Sequence, residues 1–184
     1  TMVLVYAKID FWQQLKRVDP RRAASLHTRL RAAAAAFAGR VLPREEPFAA
    51  VFDEDGLFWR IQATETAFRV RDALEDAETG VIDYLVLVHR SDDEERGLRD
   101  LKRVWSTCEG SRGIRVTAQG LGPLSAHLAT APGAEPVAVS GPAYRGRPEG
   151  PAAAELLSRP TAARVAGEAL GSALESGARV LAFR

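Results

Sequence analysis

The densest group of carboxylates in the chain is the run Asp53-Glu54-Asp55. Carboxylates bind divalent cations and exchange protons, so this run invites a metal-binding or acid–base interpretation. Consecutive residues of a turn point in different directions, however, and cannot all converge on one ion. We therefore interpret the run as a solvated turn that Gly56 completes.

The other residue types that support catalysis are scattered along the chain. His27, His89 and His127 lack the spacing of metal ligands, although His89 ends a predicted strand and could line a cleft. Cys108 is the only cysteine, which excludes an intrachain disulfide and a thiolate metal cluster. The glycine-rich stretch 141–147 lacks the Gly-Lys-Ser/Thr ending of a phosphate-binding loop. None of these groups predicts a reaction by itself.

The composition is that of one domain, or of one domain with a short appendage: 184 residues, 46% of them hydrophobic and 27% charged. A net charge of +1 gives no electrostatic argument for a nucleic-acid or anionic-membrane partner. No apolar run approaches the ~20 residues that span a bilayer, and the chain does not begin like a signal peptide. We therefore expect a cytoplasmic chain, or a cytoplasmic piece of one, that binds neither nucleic acid nor membrane.

The spacing of apolar residues predicts the elements that must position any site. The run Val3–Ile9 is apolar throughout, as in a central strand that is covered on both faces. Asp19-Pro20 predicts the start of a helix, and Gly39 its end. Strands are predicted at 3–9, 47–53, 57–61, 84–88, 114–118 and 137–140, and helices at 20–38, 64–74, 94–107 and 121–129.

The order β-α-β-β-α-β is that of a ferredoxin-like core in an α/β (α+β) protein, here extended by a further α-β-α-β. A hairpin around residues 53–56 breaks the strand–helix alternation that a Rossmann fold requires. We predict a domain at 2–140, a Gly/Pro-rich linker or excursion at 141–160, and a helix–strand appendage at 161–184.

Four places in residues 3–140 resemble the catalytic domain of class III nucleotidyl cyclases, and their order and spacing match that family. They are the strand Val5-Tyr6-Ala7-Lys8-Ile9; Gly39-Arg40-Val41-Leu42 followed by Phe48-Ala49-Ala50-Val51-Phe52; the helical segment 99–106; and the strand Gly113-Ile114-Arg115-Val116-Thr117. The resemblance implies a cyclase-like fold and a homodimer.

The departures from the family pattern bear most directly on function. The resemblance implies two divalent ions held by paired aspartates, and the matching positions here are Lys8 and Glu46. A lysine cannot ligate Mg²⁺ and repels it. Arg99 replaces the asparagine that orients the ribose, whereas Arg103 matches the transition-state arginine. The sequence therefore resembles a degenerate cyclase domain.

Lys8 and Glu46 are expected to face each other on adjacent strands as an ion pair, because either charge alone would be costly to bury. An active site would instead need Asp10 as a ligand, two residues beyond Lys8 and so on the same strand face. We favour a cap or loop role for Asp10. Asp10 and Glu46 are thus only weak metal candidates, and no cofactor is expected.

Three functions remain open from the sequence. The favoured one is a catalytically silent cyclase-like module with a regulatory or protein-interaction role, within a larger cytoplasmic protein and partnered by a second copy or by other domains. The second is an active nucleotidyl cyclase with unusual metal ligands. The third is a non-catalytic sensor that binds a nucleotide or metabolite.

Overall fold

The computed structural model describes residues 1–76, 83–108 and 110–144. Within them, five helices pack on a seven-stranded sheet. The elements are, in chain order, β1 (Met2–Ile9), α1 (Trp12–Val18), α2 (Pro20–Ala35), β2 (Arg40–Val41), β3 (Phe48–Asp53), α3 (Trp59–Glu75), β4 (Tyr84–Ser91), α4 (Glu94–Thr107), β5 (Gly113–Val116), α5 (Ala118–Leu124), β6 (Leu128–Thr130) and β7 (Val137–Pro142). The predicted appendage at 161–184 and most of the predicted linker lie outside the described residues.

The sheet order is β2-β3-β1-β4-β5-β7-β6. In the first four strands, β1 lies antiparallel between β3 and β4, and β2 pairs with the outer side of β3. This arrangement confirms the predicted ferredoxin-like core. Beyond it, α4 crosses over to β5, which runs parallel to β4, and β7 and β6 follow antiparallel. The extension therefore has one strand more than the predicted α-β-α-β.

Both faces of β1 are buried, as its continuous apolar sequence predicts. Val3, Val5 and Ala7 pack in the larger core with α2, α3 and α5. Leu4 and Tyr6 point to the opposite face, where α4 covers them. Side chains of a strand alternate between faces, so even-numbered residues of β1 belong to the α4 side of the sheet.

Helix α2 begins as predicted, with the Asp19 side chain accepting a hydrogen bond from the Arg22 amide at 3.0 Å. It ends at Ala35, three residues earlier than predicted, and Ala38 takes the left-handed conformation with φ 56°. Gly39 is needed for close approach rather than for a cap. A Cβ at this position would lie 2.6 Å from the ring of Phe52.

Two further differences from prediction concern short segments. Residues 57–61 do not form a strand: α3 begins at Trp59, and the hairpin of the core is β2–β3 instead. Helix α1 was not predicted at all. The short run at 57–61 fits a buried strand or a buried helix equally well, and Trp59 and Ile61 are buried there as part of α3. The α1 segment is largely polar, with Trp12 as its buried residue.

Candidate functional site

Lys8 lies near the end of β1, on the face that α4 covers. Its ammonium group stands 5.6 Å from the ring centroid of Trp105, a half-buried residue of α4. No carboxylate of the described residues lies within 4 Å of this ammonium group. A cation held over an indole face gains about 0.5–1 kcal/mol at an exposed site. The predicted Lys8–Glu46 ion pair is therefore wrong, and Trp105 takes the place of the expected carboxylate.

Glu46 lies in the loop between β2 and β3 and binds α1. Its carboxylate oxygens lie 3.0 and 2.9 Å from the Lys16 ammonium, and the Trp12 indole donates to it at 3.4 Å. The hydrogen bond from Lys16 is the main reason that the pKa of Glu46 is lowered. Pairing between β1 and β3 stops at Ala7 and Phe48. Glu46 is thus beyond the strand ladder, where α1 reaches it and Lys8 does not.

Under α4, Lys8 belongs to a group that we call the Lys8 cluster: Tyr6, Lys8, Glu45, Lys102 and Trp105. Lys102 bridges to Glu45 at 2.9 Å and so joins α4 to the β2–β3 loop. The Tyr6 hydroxyl is fully buried and has no hydrogen-bond partner among the described residues. Burial, with a smaller contribution from Glu45, raises the pKa of Tyr6 well above its usual value. Within the part of the chain that the structure describes, the cluster thus combines a lysine without a carboxylate partner and a buried hydroxyl without a hydrogen bond.

Arg99 and Arg103 lie on the outer side of α4, with side chains 70% and 78% exposed. Arg103 is 3.0 Å from Asp100, and Arg99 is 3.8 Å from Glu95. Both arginines therefore pair within their own helix and contact neither Lys8 nor Glu46. The structure does not bring the four family-equivalent positions together.

Asp10 follows the last residue of β1, as expected, and its amide donates to the Asp83 carbonyl at 3.1 Å. In residues 1–76, 83–108 and 110–144, no group of three or more His, Cys, Asp or Glu side chains is arranged to hold a metal ion. One family-equivalent position carries a cation, and the carboxylate at the other is bonded to Lys16. These residues do not fit the paired-carboxylate, two-ion site that the resemblance implies.

The acidic turn at 53–55 is a surface turn. Asp53 and Asp55 are exposed, and Glu54 forms a bidentate ion pair with Arg90 at 2.6 and 3.0 Å. The interpretation of this run as solvated agrees with this geometry.

His89 is buried rather than lining a cleft, being only 5% exposed. Its Nδ1 lies 2.9 Å from Thr117 Oγ1, and its Nε2 lies 4.0 Å from Asp100. The pKa of His89 is lowered, mainly by burial and also by Arg96, while Asp100 and Glu135 act in the opposite direction. His89 therefore connects β4, α4 and the start of α5 as a structural group.

A second buried polar contact joins α3 to the residues that follow β7. Glu65 is fully buried, and the Tyr144 hydroxyl donates a hydrogen bond to its carboxylate. The ring of His127 lies edge-on to Tyr144, with the centroids 6.2 Å apart. In sequence, the only sign of this contact is an acidic residue on the apolar stripe of α3, since Ile61 and Phe68 are buried on either side of Glu65.

Sequence reasoning missed the partners that decide the site. Trp12 and Lys16 were overlooked because α1 was not recognised, although Trp12, Leu15 and Lys16 have helical spacing. The contact of Trp105 with Lys8 has no local signature in the sequence. A contact between residues 97 positions apart cannot be inferred from spacing.

No protein-family model matches the chain, and none of the curated proteins matches it. Among solved structures, the chain is similar to the guanylyl cyclase Cya2, with a TM-score of 0.52 and 8% sequence identity. The match covers 77% of this chain and 92% of that chain. At this identity the likeness shows the fold alone, which is cyclase-like. Separately, none of the helices in the described residues has the length and hydropathy to cross a bilayer.

Proposed function

We propose that the domain is a catalytically silent, cyclase-like module with a regulatory or protein-interaction role. The observation that carries the proposal is Lys8. At the position where the resemblance places the first metal-binding aspartate, a lysine lies over Trp105. Phosphoryl and nucleotidyl chemistry in such domains depends on divalent cations that neutralise developing charge. A fixed ammonium group at that position disfavours the cation.

The contacts of Glu46 support the same conclusion. Its carboxylate is bonded to Lys16 and Trp12, so its use as a metal ligand would require those bonds to break. The Glu46 carboxylate thus stabilises α1 instead of binding a metal ion. We further propose a cytoplasmic setting within a larger protein, with a second copy or another protein domain as partner. The resemblance to class III nucleotidyl cyclase domains supports this setting and this kind of partner.

The test is turnover of ATP and of GTP by the purified chain with Mg²⁺ or Mn²⁺, followed by chromatography of cyclic products. We expect no product above that of a protein-free control. Metal-dependent product that Glu46→Gln abolishes would overturn the proposal and establish an active cyclase with unusual ligands. Glu95→Gln, at an exposed carboxylate on the outer side of α4, is the matched control for the loss of one carboxylate.

A second candidate, a non-catalytic nucleotide or metabolite sensor, is favoured by two groups of the Lys8 cluster: the buried Tyr6 hydroxyl, which has no hydrogen-bond partner in the described residues, and the half-buried Lys8 ammonium, which has no carboxylate partner there. The buried Tyr6 hydroxyl and the Lys8 ammonium lie on the same face of β1, two residues apart. Calorimetric titration with ATP and GTP in the absence of metal tests this candidate. Binding that Tyr6→Phe and Lys8→Met each weaken would select it over the protein-interaction role, and no heat of binding would reject it for these nucleotides.

A further inference from the structure

Two exposed apolar side chains flank helix α1. Phe11 immediately precedes its first residue and is 71% exposed, and Val18 is its last residue and is 85% exposed. Single exposed apolar side chains are common on protein surfaces, but here two stand seven positions apart at the ends of one short helix.

The same segment is basic. Arg17 and Arg21 are exposed, and no carboxylate of the described residues is within ion-pair distance of either. Between residues 11 and 44 the sequence has eight lysines and arginines but a single acidic residue, Asp19, whose side chain caps α2. Three of the eight, Lys16, Arg29 and Arg40, pair with carboxylates of other segments, so Arg17 and Arg21 carry local positive charge at this surface. We call Phe11, Arg17, Val18 and Arg21 the α1 ridge.

Side chains on the inner side of α1 anchor the α1 ridge to the rest of the domain. Trp12 is buried in the larger core, and Lys16 is bonded to Glu46 in the β2–β3 loop. Phe11 adopts a left-handed backbone conformation, with φ 60° and ψ 25°, which is uncommon for a bulky residue. The Phe11 carbonyl accepts a hydrogen bond from the Leu15 amide at 2.9 Å, which ties the backbone of Phe11 to α1. A preorganised surface loses little conformational entropy when a partner binds.

We infer that the α1 ridge docks an acidic partner protein, through a segment that presents carboxylates beside apolar side chains. The inference rests on the protein-interaction role proposed above and specifies the chemistry of the partner. The two arginines without a carboxylate would pair with its acidic residues, and Phe11 and Val18 would be covered by its apolar ones.

An anionic membrane is the less suitable occupant of this surface. Recognition of anionic lipid by basic residues typically uses clusters of about four to eight lysines and arginines. The α1 ridge has two arginines that are free of carboxylates, and Lys16 beside them is engaged by Glu46. Two apolar side chains also bury too little area to anchor a folded domain in lipid.

The experiment uses the full chain and a fluorescein-labelled peptide of about 14 residues, with leucines at helical spacing and glutamates elsewhere. Fluorescence anisotropy at low salt is expected to show saturable binding. Arg17→Glu/Arg21→Glu should weaken binding at least about tenfold and should create binding to the matched peptide that carries lysine in place of glutamate. Phe11→Asn/Val18→Gln should also weaken binding at least about tenfold, and asparagine tolerates the left-handed backbone of residue 11.

Matched controls come from elsewhere on the surface. Arg99→Glu/Arg103→Glu removes two exposed arginines of α4, and Leu57→Gln removes a side chain that is 51% exposed. Both should leave the peptide affinity within about twofold. The inference would be overturned by absence of peptide binding, or by an equal loss of peptide affinity in the ridge and control variants. It would also be overturned by ridge-dependent binding to phosphatidylserine vesicles but not to the peptide, or by ridge-dependent self-association in ultracentrifugation. The nucleotide turnover assay does not depend on this result, so a failure of either proposal can be told from a failure of the other.

Discussion

At the scale of single residues, Lys8 and Glu46 show what a change of residue type implies. The sequence indicates that a positive charge stands where the resemblance calls for a negative one. It does not indicate where each charge is satisfied: Lys8 finds an indole ring and Glu46 finds a lysine of α1. Both contacts are compatible with the absence of metal chemistry, but neither is the predicted ion pair.

His89 leads to a prediction about pH. The pKa of His89 is lowered in the folded protein, chiefly by burial. At pH values between the pKa of His89 in the folded state and its pKa in the unfolded state, the unfolded protein therefore binds more protons than the folded protein. The free energy of unfolding is therefore expected to fall as pH decreases below about 6.5. His89→Asn should reduce this dependence, as measured by urea unfolding between about pH 7.5 and 5.5.

The informative quantity in that experiment is the slope of stability against pH and not its absolute value, because the substitution also removes the contact with Thr117. His27→Asn, at a half-buried position of α2, is the control for replacing a histidine by asparagine. Equal slopes in the wild type and the His89 variant would contradict the structural role assigned to this histidine.

At the scale of elements, α4 lies close to the sheet because Gly97 has no side chain. A Cβ there would lie 2.8 Å from Leu4 Cδ1 and 2.9 Å from Ser91 Cβ. The end of Leu4 can shift, but Ser91 Cβ is fixed to the backbone of β4. The ion pairs Arg40–Glu94 and Lys102–Glu45 link α4 to the β2–β3 hairpin. Leu101 of α4 is buried in one cluster with Leu4 and Tyr6, so moving the helix away would cost this packing.

Gly97→Ala is accordingly expected to destabilise the protein by about 1–2 kcal/mol, because overpacking outweighs the gain in helix propensity of about 1 kcal/mol. Gly122→Ala in α5 is the control, since a Cβ there would meet nothing within 4 Å. It should be neutral or stabilising by up to about 1 kcal/mol. The midpoint and slope of urea unfolding measure both, and equal effects would show that the close approach is not a constraint.

At the scale of the whole molecule, Tyr144 joins the end of the described chain to the centre of α3. Its hydroxyl donates to the fully buried Glu65 carboxylate. Tyr144→Phe removes that donor and is expected to cost about 1–3 kcal/mol, because a buried acceptor loses one of its hydrogen bonds.

Tyr84→Phe is the matched control for this change. The Tyr84 hydroxyl also donates to a carboxylate, that of Glu75, whose side chain is substantially exposed. Water can replace the lost donor there, so the cost should stay below about 1 kcal/mol. Thermal unfolding of the two variants compares them directly, and a smaller loss for Tyr144→Phe than for Tyr84→Phe would contradict the role of Tyr144.

The likeness to a guanylyl cyclase structure, over 77% of the chain and at 8% identity, is a likeness of fold. One fold supports many functions, so the site must carry the functional argument. Here the sheet order and crossover connections are cyclase-like, but the residues at the positions of Lys8 and Glu46 differ from the cyclase pattern. We therefore propose a module without cyclase activity.

The sequence by itself determined the core of this protein. The apolar run of β1, the helical stripe of α2 and the cap Asp19 are local patterns, and each led to the correct element. Their order then predicted the ferredoxin-like arrangement of the first four strands. Such features follow from short-range periodicity and hydrogen bonding, which a single sequence displays directly.

Only the tertiary structure decided which charged and polar groups meet. The partners of Lys8, Glu46, His89 and Glu65 are brought to them by other elements, 97, 30, 28 and 79 positions away. The helix at Trp59 likewise formed where the local pattern also fitted a strand. In each case the deciding energy is the burial or pairing of a side chain against a surface that exists only after the sheet has assembled.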